Sequence, residues 1–163
     1  MEYAIEMLNI TKEFPGILAN DNVTLKVKQN TIHALLGENG AGKSTIMSIL
    51  FGLYQPTKGT IKINGKTVAI SNPNIANELG IGMVHQHFKL VDCYTVTENI
   101  ILGSEPHKNG IIDLHKANKK VKEISELYGL NVEPTALIKN ISVGMQQRVE
   151  ILKMLYRNAN ILI

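Results

Sequence analysis

The sequence has few of the residues that mark secreted or membrane-spanning proteins. It contains one cysteine, no tryptophan and only 5% aromatic residues. The lone Cys93 has no partner for an internal disulfide, so a disulfide-stapled fold is not expected. No apolar run approaches the ~18 residues that a transmembrane helix needs, and the first ten residues carry acids where a secretion signal has a basic flank. We therefore expect a cytosolic protein that reaches a membrane only through a partner.

An excess of one charge sign is also missing. Lys and Arg number 17 against 14 Asp and Glu, which gives a net charge of +3. The densest basic cluster, residues 116–122, is interleaved with helix formers and contains no aromatic residue. This is typical of a solvated helix face, so nucleic acid is not an expected partner. With 163 residues, 44% of them hydrophobic, the chain is long enough to bury one sizeable core.

An antiparallel β layer is predicted at the start of the chain. Residues 3–10 and the alternating apolar residues of 23–27 are typical of strands, and the polar residues 20–22 supply turn chemistry between them. Further on, Asn64-Gly65 tolerates the positive φ angles of a type I′ turn. The segments on either side of it are therefore predicted to pair as a hairpin.

Helices are predicted in the later part of the chain. Asn72 and Pro73 are a cap and a first residue for a short helix that ends by Gly80, and residues 81–84 then resemble a strand. Behind a capping Asp113, apolar residues recur at three- and four-residue steps and predict an amphipathic helix that Gly129 closes. A last helix is expected from about residue 144 to 157, with an apolar strand start after it.

Residues 37–44 read Gly-Glu-Asn-Gly-Ala-Gly-Lys-Ser and match the phosphate-loop pattern G-x-x-x-x-G-K-[ST]. That pattern requires a strand before it and a helix behind it. The apolar run 32–36 predicts the strand, and the helical spacing of apolar residues in 44–53 predicts the helix. The glycines let successive backbone N–H groups turn towards an anion, and the helix start adds the positive end of its dipole. The loop predicts nucleotide binding without choosing among kinases, GTPases and transport ATPases.

The loop residues have individual expected roles. Lys43 is expected to reach the β and γ phosphates as a point charge and is a catalytic candidate, while the Ser44 hydroxyl is expected to occupy one position on Mg²⁺. Thr45 is expected to support the α phosphate. The full set of predicted nucleotide-binding residues in this segment is Gly37, Glu38, Asn39, Gly40, Ala41, Gly42, Lys43, Ser44 and Thr45.

Three other segments accompany the phosphate loop: Lys-Glu-Phe-Pro-Gly at 12–16, Met-Val-His-Gln-His-Phe at 83–88 and Ile-Ser-Val-Gly-Met-Gln-Gln-Arg at 141–148. Together the four segments resemble the ATP-binding-cassette (ABC) transporter ATPases, and in detail the branch that serves bacterial simple-sugar and nucleoside importers. The resemblance spans essentially the whole chain. It implies an α/β fold, with a P-loop core, an antiparallel β layer and an inserted helical subdomain.

The resemblance also implies roles for residues outside the loop. By that resemblance Phe14 stacks on adenine, and Gln86 contacts Mg²⁺ and the attacking water, which makes it a metal-binding and catalytic candidate. Residues of the third segment correspond to the family signature, which binds the ATP held by the opposite subunit: Ser142, Val143, Gly144, Met145 and Gln146. Two of them depart from the usual signature, because Val143 replaces a glycine and Met145 replaces a glutamine. The helix start at Ser142 can itself offer a hydroxyl and N–H groups to an anion.

An assembly follows from the same resemblance. Two cassettes, fused or separate, sandwich two MgATP molecules, and transmembrane permease subunits dock on the helical subdomain at the cytoplasmic face of the membrane. A solute-binding protein takes part indirectly. We divide the chain into a P-loop core with its β layer at residues 1–87, a helical subdomain at 88–140, and the signature helix with a strand start at 141–163.

The family pattern continues past the last residue. In the family, the strand that matches residues 161–163 runs into an aspartate and a glutamate that order the metal and polarise water. We therefore expect a chain truncated before these carboxylates, which binds nucleotide with little turnover, whereas the full-length protein hydrolyses ATP. A soluble ABC ATPase acting on ribosome or DNA and a P-loop kinase stay as alternatives. The short, mildly basic segment 88–140 favours docking to a membrane protein, and a kinase does not explain Gln86 and Ser142 together.

Overall fold

The computed structural model describes residues 2–84, 89–108 and 110–163. Contacts divide the chain into two units, Met1–Ile81 with Ile163 and Gly82–Leu162. The first unit holds an antiparallel sheet and the phosphate loop, and the second holds three helices that pack together. The domain boundaries expected after residues 87 and 140 stay predictions.

The sheet of the first unit has four antiparallel strands: β1 (Tyr3–Phe14), β2 (Ile17–Lys28), β3 (Lys58–Ile63) and β4 (Lys66–Val68). Their order in the sheet is β2-β1-β3-β4. Alternate side chains point into a core, where Ile5 lies opposite Ile63 and Met7 lies opposite Ile61. All four are at most 4% exposed. The predicted β layer is therefore present.

The turn between β1 and β2 is formed by Pro15 and Gly16, so the prediction of a turn at residues 20–22 is wrong. Gly16 has a φ of 77°, which after a proline is typical of a type II turn. Residues 20–22 lie inside β2, where the strand register shifts. There Asn22 has a φ of 50° and accepts a hydrogen bond from Asn9 Nδ2 at 2.9 Å. The polar run accommodates a β-bulge and not a reversal of the chain.

Three local predictions in the first unit are confirmed. Asn64 and Gly65 connect β3 to β4 with φ angles of 49° and 76°, as a type I′ turn requires. The next helix, α2 (Pro73–Glu78), begins with its proline, and Asn72 Oδ1 accepts the N–H groups of the second and third helical residues at 3.0 and 3.2 Å. Before it comes α1 (Lys43–Leu50), which follows the phosphate loop as predicted.

The segment before the phosphate loop is not a strand, which corrects the prediction of a strand at residues 32–36. Residues 31–38 have no regular secondary structure. Ile32 and Leu36 are 103% and 89% exposed. No strand in the described part of the chain pairs with this segment, and a strand without a neighbour has no partners for its backbone N–H and C=O groups. Apolar side chains alone did not make it a strand.

The second unit is built around α3 (Val96–Ile101), α4 (Leu114–Leu127) and α5 (Val143–Tyr156), which pack pairwise on one another. Their shared core includes side chains with no exposed area: Ile100, Val121, Ile138, Val149 and Leu152. As predicted, Asp113 caps α4 by accepting the Lys116 N–H at 2.9 Å, and Gly129 follows its end with a φ of 64°. The predicted last helix is α5.

Helix α3 was not predicted, although its start has a clear signal. Thr95 and Glu98 form a capping box, in which Thr95 Oγ1 accepts the Glu98 N–H at 3.2 Å and Glu98 Oε2 accepts the Thr95 N–H at 2.7 Å. The same carboxylate accepts the Thr95 hydroxyl at 2.7 Å. These hydrogen bonds hold the pKa of Glu98 below its ordinary value, since they favour the charged form.

The remaining strands are two residues long. The strands expected at 81–84 and 159–163 are present as β5 (Ile81–Gly82) and β8 (Ile161–Leu162), which pair with each other. Between them in sequence, β6 (His107–Lys108) and β7 (Ile111–Ile112) pair antiparallel. None of the helices that the structure describes is long and apolar enough to span a bilayer.

Candidate nucleotide-binding site

The phosphate loop, residues 37–44, is largely exposed and runs directly into α1. The Ala41 N–H donates to the carbonyl of Glu38 at 3.2 Å, which folds the loop back on itself. The Lys43 ammonium donates to the carbonyls of Gly37 and Glu38, both at 2.7 Å. The ammonium group is therefore held against the backbone of the loop, where a bound anion can take over its hydrogen bonds.

The start of α1 offers N–H groups that have no acceptor in the described part of the chain. Gly42 is the N-terminal cap residue and has no side chain to accept a hydrogen bond, and its own carbonyl accepts the first helical bond, from Ile46 at 3.0 Å. The N–H groups of Lys43, Ser44 and Thr45 donate to no acceptor among the described residues. Successive free amides at a helix N-terminus attract anions. This donor set fits a polyphosphate.

Residues of strand β2 contact the phosphate loop at Gly42. Asn20 Nδ2 donates to the carbonyl of Gly42 at 3.3 Å, and Asn20 is only 6% exposed. Gly42 has a φ of 80°, and a Cβ atom there would lie 2.4 Å from the carbonyl oxygen of Ala19. A glycine is therefore required by both the backbone conformation and the space. The sequence pattern indicated a turn at Asn20 and gave no signal for its contact with the loop.

Helix α1 is anchored by its buried face. Ile46, Ile49 and Leu50 are at most 3% exposed, whereas Ser44 is exposed and Thr45 is half-buried. The anchor fixes the amides of the first turn while leaving the Ser44 hydroxyl accessible. The structure thus places all the predicted residues from Gly37 to Thr45 in one loop and helix start. Their individual roles stay predictions.

Phe14, predicted to stack on adenine, lies half-buried at the end of β1 in the same unit. Its ring meets the Tyr54 ring edge-on, with ring centroids 5.2 Å apart and an interplanar angle of 82°. The Lys12 ammonium lies 4.8 Å from the Phe14 centroid. The sequence carries no signal for the Tyr54 contact, because Tyr54 is distant from Phe14 along the chain, and Lys12 had no predicted role of its own.

Gln86, the predicted metal-binding and catalytic glutamine, lies outside the described residues. The adjoining His85, His87 and Phe88 lie outside them too. The role of Gln86 stays a prediction that rests on resemblance.

The predicted signature residues form the start of α5 in the second unit. Ser142 is the N-terminal cap, and its Oγ accepts the Met145 N–H at 3.3 Å while its hydroxyl proton stays available to another acceptor. Val143 is 70% exposed and Gly144 is exposed. Gln146 Nε2 instead turns to the carbonyl of Ile138 at 3.4 Å. The cap residue and the first helical turn thus form an accessible helix start, whose role stays a prediction.

A buried carboxylate in the second unit was also missed. Glu150 on α5 is 2% exposed, and its Oε1 accepts the Lys89 N–H at 3.0 Å. Three residues further on, burial lowers the pKa of the Lys153 ammonium, and the charge of Glu150 opposes part of that shift. The buried carboxylate therefore has a hydrogen-bond donor, the Lys89 N–H, and it holds the backbone at residue 89 in place.

The family profile described as ABC transporter matches residues 20–163. That range is most of the chain and includes both the phosphate loop and the start of α5. The chain therefore belongs to the ABC transporter family.

Curated relatives match the chain along its full length. It is 66% identical over 163 residues to the guanosine import ATP-binding protein NupO of Bacillus subtilis, covering 100% of this chain and 32% of the relative. It is 60% identical over 162 residues to the nucleoside import ATP-binding protein NupA of Lactococcus lactis, covering 99% of this chain and 32% of the relative. A xylose import ATP-binding protein, XylG of Thermoanaerobacter pseudethanolicus, is 48% identical over 164 residues, covering 99% and 32%. The chain thus spans about a third of the length of these relatives.

Solved structures show the same fold. The cbiO1 protein of Clostridium perfringens, part of the ABC transporter complex cbiONQ, matches with a TM-score of 0.81 at 22% identity, covering 99% of this chain and 64% of that one. An ATP-binding cassette of an ABC transporter in its ADP conformation matches with a TM-score of 0.84 at 24% identity, covering 99% and 67%. The expected α/β cassette fold is confirmed.

Proposed function

We propose that this chain is the nucleotide-binding portion of an ATP-binding subunit that powers an ABC importer of nucleosides or simple sugars. One observation carries the nucleotide half of the proposal: the N–H groups of Lys43, Ser44 and Thr45 are unpaired among the described residues, and the Lys43 ammonium donates to two carbonyls of the same loop. The names of the relatives carry the import half, because they describe nucleoside and sugar import ATP-binding proteins. No observation favours a ribosome, DNA or a small-molecule phosphate acceptor.

The chain binds its nucleotide mainly through backbone. Phosphate oxygens take the free amides at the start of α1, where the helix dipole adds to the attraction. The Lys43 ammonium leaves the carbonyls of Gly37 and Glu38 for the phosphate oxygens, and Glu38, Asn39, Gly40 and Ala41 shape the loop around them. Lys43 then neutralises phosphate charge, which is the contribution that phosphoryl transfer needs most.

Magnesium is proposed as the accompanying ion. The exposed Ser44 hydroxyl supplies one hard oxygen ligand, and Mg²⁺ ordinarily takes the rest of its six-coordinate shell from water and phosphate oxygens. Gln86 is the second proposed ligand on the grounds of resemblance. The ion, once bound, neutralises charge on the phosphates; the residues of this chain only orient it.

The second helix start is proposed to serve another nucleotide. Ser142 and the N–H groups of the exposed residues Val143 and Gly144 offer an anion site, with Met145 and Gln146 completing the signature. In the proposed assembly this site contacts the ATP of a second cassette. The whole protein then hydrolyses ATP at the cytoplasmic face of the membrane, docked to permease subunits that receive solute from a binding protein.

Calorimetry with MgATP and with magnesium tripolyphosphate tests the nucleotide half. Lys43→Ala removes a charge-assisted contact worth roughly 1.5–3 kcal/mol, so both affinities should fall by about tenfold to a hundredfold. Lys66→Ala, at an exposed lysine on β4 of the same unit, is the matched control and should bind as wild type does. If Lys43→Ala and Lys66→Ala bind these ligands with equal affinity, residues 37–44 are not the phosphate-binding site.

Uptake measurements test the import half. Cells in which the longer protein carries Lys43→Ala should lose uptake of radiolabelled guanosine or of a simple sugar, while uptake of an amino acid by an unrelated carrier continues. If uptake of nucleosides and of every simple sugar assayed is unchanged in these cells, the importer proposal is contradicted, even if the wild-type chain binds nucleotide.

A further inference from the structure

We infer that Tyr54 is a positioning residue for recognition of the nucleotide base, because its ring packs nearly perpendicular to the Phe14 ring and, in the described part of the chain, a Phe14 face is occupied only by the Lys12 ammonium. The inference deepens the proposed function and rests on it. Tyr54 lies outside every sequence motif, and only the folded chain brings it to the Phe14 ring.

The two rings form a defined pair, named here the aromatic ledge (Phe14 and Tyr54). Their centroids are 5.2 Å apart and the rings stand at 82° to each other. An edge-to-face pair of this kind uses the edge of one ring and restricts the rotation of the other. Tyr54 is itself 44% exposed, so it is not buried for packing alone.

Tyr54 is anchored to both elements that matter for nucleotide binding. On one side, its own N–H and that of Leu53 donate to the Ser48 carbonyl in α1, at 3.4 and 2.8 Å. On the other side, the Thr57 N–H donates to the Thr11 carbonyl at 2.8 Å, and Thr57 Oγ1 accepts the Glu13 N–H at 3.0 Å. The loop after α1 therefore ties the Tyr54 ring to the phosphate-loop helix and to the strand that carries Phe14.

The ledge and the phosphate loop are connected through the paired strands β1 and β2. Lys12 pairs with Asn20 across β1 and β2, and Asn20 donates to the Gly42 carbonyl at 3.3 Å. Phe14 follows Lys12 by two residues on the same face of the strand, which is roughly 7 Å along it. The ledge and the phosphate loop therefore both contact the paired strands β1 and β2, and we expect one nucleotide, whose ribose separates its base from its phosphates, to reach both.

A face of the Phe14 ring is open to an exchangeable group. The Lys12 ammonium lies over the Phe14 ring at 4.8 Å and is 6.0 Å from the Tyr54 centroid. A cation–π contact at a half-exposed site is weak, so a stacked base can replace the ammonium. The side chain of Lys12 thus marks the position that a base takes.

Titrations of the chain with MgATP and with magnesium tripolyphosphate separate base recognition from phosphate binding. Tyr54→Leu should weaken MgATP binding by about threefold to tenfold, the range expected when a stacking ring loses its orientation, and should leave tripolyphosphate affinity unchanged. Tyr54→Phe keeps the ring and should bind as wild type does. Tyr94→Leu, at a tyrosine that is 40% exposed in the second unit, is the matched control.

A double-mutant cycle tests whether Tyr54 acts through Phe14. In a Phe14→Leu background, Tyr54→Leu should have no further effect on MgATP affinity. If Tyr54→Leu lowers the affinities for MgATP and tripolyphosphate equally, Tyr54 has only a structural role and the inference is overturned. The inference is also overturned if MgATP affinity does not change, or if the effects of Tyr54→Leu and Phe14→Leu on it are fully additive. If wild type binds neither ligand, the proposed function fails first and the inference fails with it.

Discussion

Gly42 is the residue of the phosphate loop whose replacement by a larger residue is most restricted by the surrounding structure. We consider Gly42→Ala with Gly40→Ala as its matched control. Both glycines have a positive φ, 80° and 87°, so alanine is strained at either one. They differ in space: a Cβ at Gly42 would lie 2.4 Å from the Ala19 carbonyl oxygen and 2.5 Å from Asn20 Nδ2, whereas a Cβ at Gly40 has nothing within 4 Å.

That difference sets the expected magnitudes. A left-handed conformation costs a residue with a Cβ about 1–2 kcal/mol, which is the whole cost at Gly40. At Gly42 the overlap also forces β2 or the loop to shift, and overpacking of this kind adds about 1–3 kcal/mol. We therefore expect Gly42→Ala to lower the free energy of unfolding by roughly 2–5 kcal/mol, and Gly40→Ala by about 1–2 kcal/mol.

Urea unfolding followed by far-UV circular dichroism measures both values. The same samples, titrated with MgATP, should show weaker binding for Gly42→Ala, because the shift moves the free amides of Lys43 and Ser44. Equal losses of stability in the two variants would show that Ala19 and Asn20 do not constrain the loop as described. The support that β2 gives to the phosphate loop would then have to be abandoned.

Two further predictions concern the second unit. Glu150→Leu leaves the Lys89 N–H without its buried acceptor and should lower the free energy of unfolding by about 1–3 kcal/mol. Glu150→Gln keeps an oxygen acceptor and should lower it by less. Equal losses of stability in the two variants would contradict this role of Glu150. Because the pKa of Glu98 is lowered, the stability from its hydrogen bonds with Thr95 is fully present above the ordinary value of 4.5 and is lost as the pH falls through the lowered pKa. The deficit of Thr95→Ala, about 1 kcal/mol at pH 7, should therefore narrow as the pH falls below 4.5 in thermal unfolding. A deficit independent of pH would exclude this explanation.

The sequence is most informative where one short segment specifies its own geometry. The phosphate loop is such a segment, because its glycines, lysine and helix start are consecutive and make their contacts with one another. The same holds for the Asn64-Gly65 turn and for the Asp113 cap. Each needs only its immediate neighbours, so its sequence pattern is sufficient to predict it.

Features that depend on distant partners were missed. Residues 32–36 have the apolar run of a buried strand, but a strand forms only beside another strand, and no described strand pairs with them. Asn20 was assigned to a turn, because its contact with Gly42 follows from the strand register and from a helix that begins 23 residues later. The contact between Phe14 and Tyr54 spans 40 residues and likewise has no local signal.

The central claim is tested most directly at the backbone amides of the phosphate loop. In ¹H–¹⁵N NMR spectra of the chain, MgATP should shift the amide signals of Lys43, Ser44 and Thr45 more than those of the first turns of α2 and α4. Magnesium tripolyphosphate should shift the same three signals. Unchanged positions for all three at saturating MgATP would contradict the account.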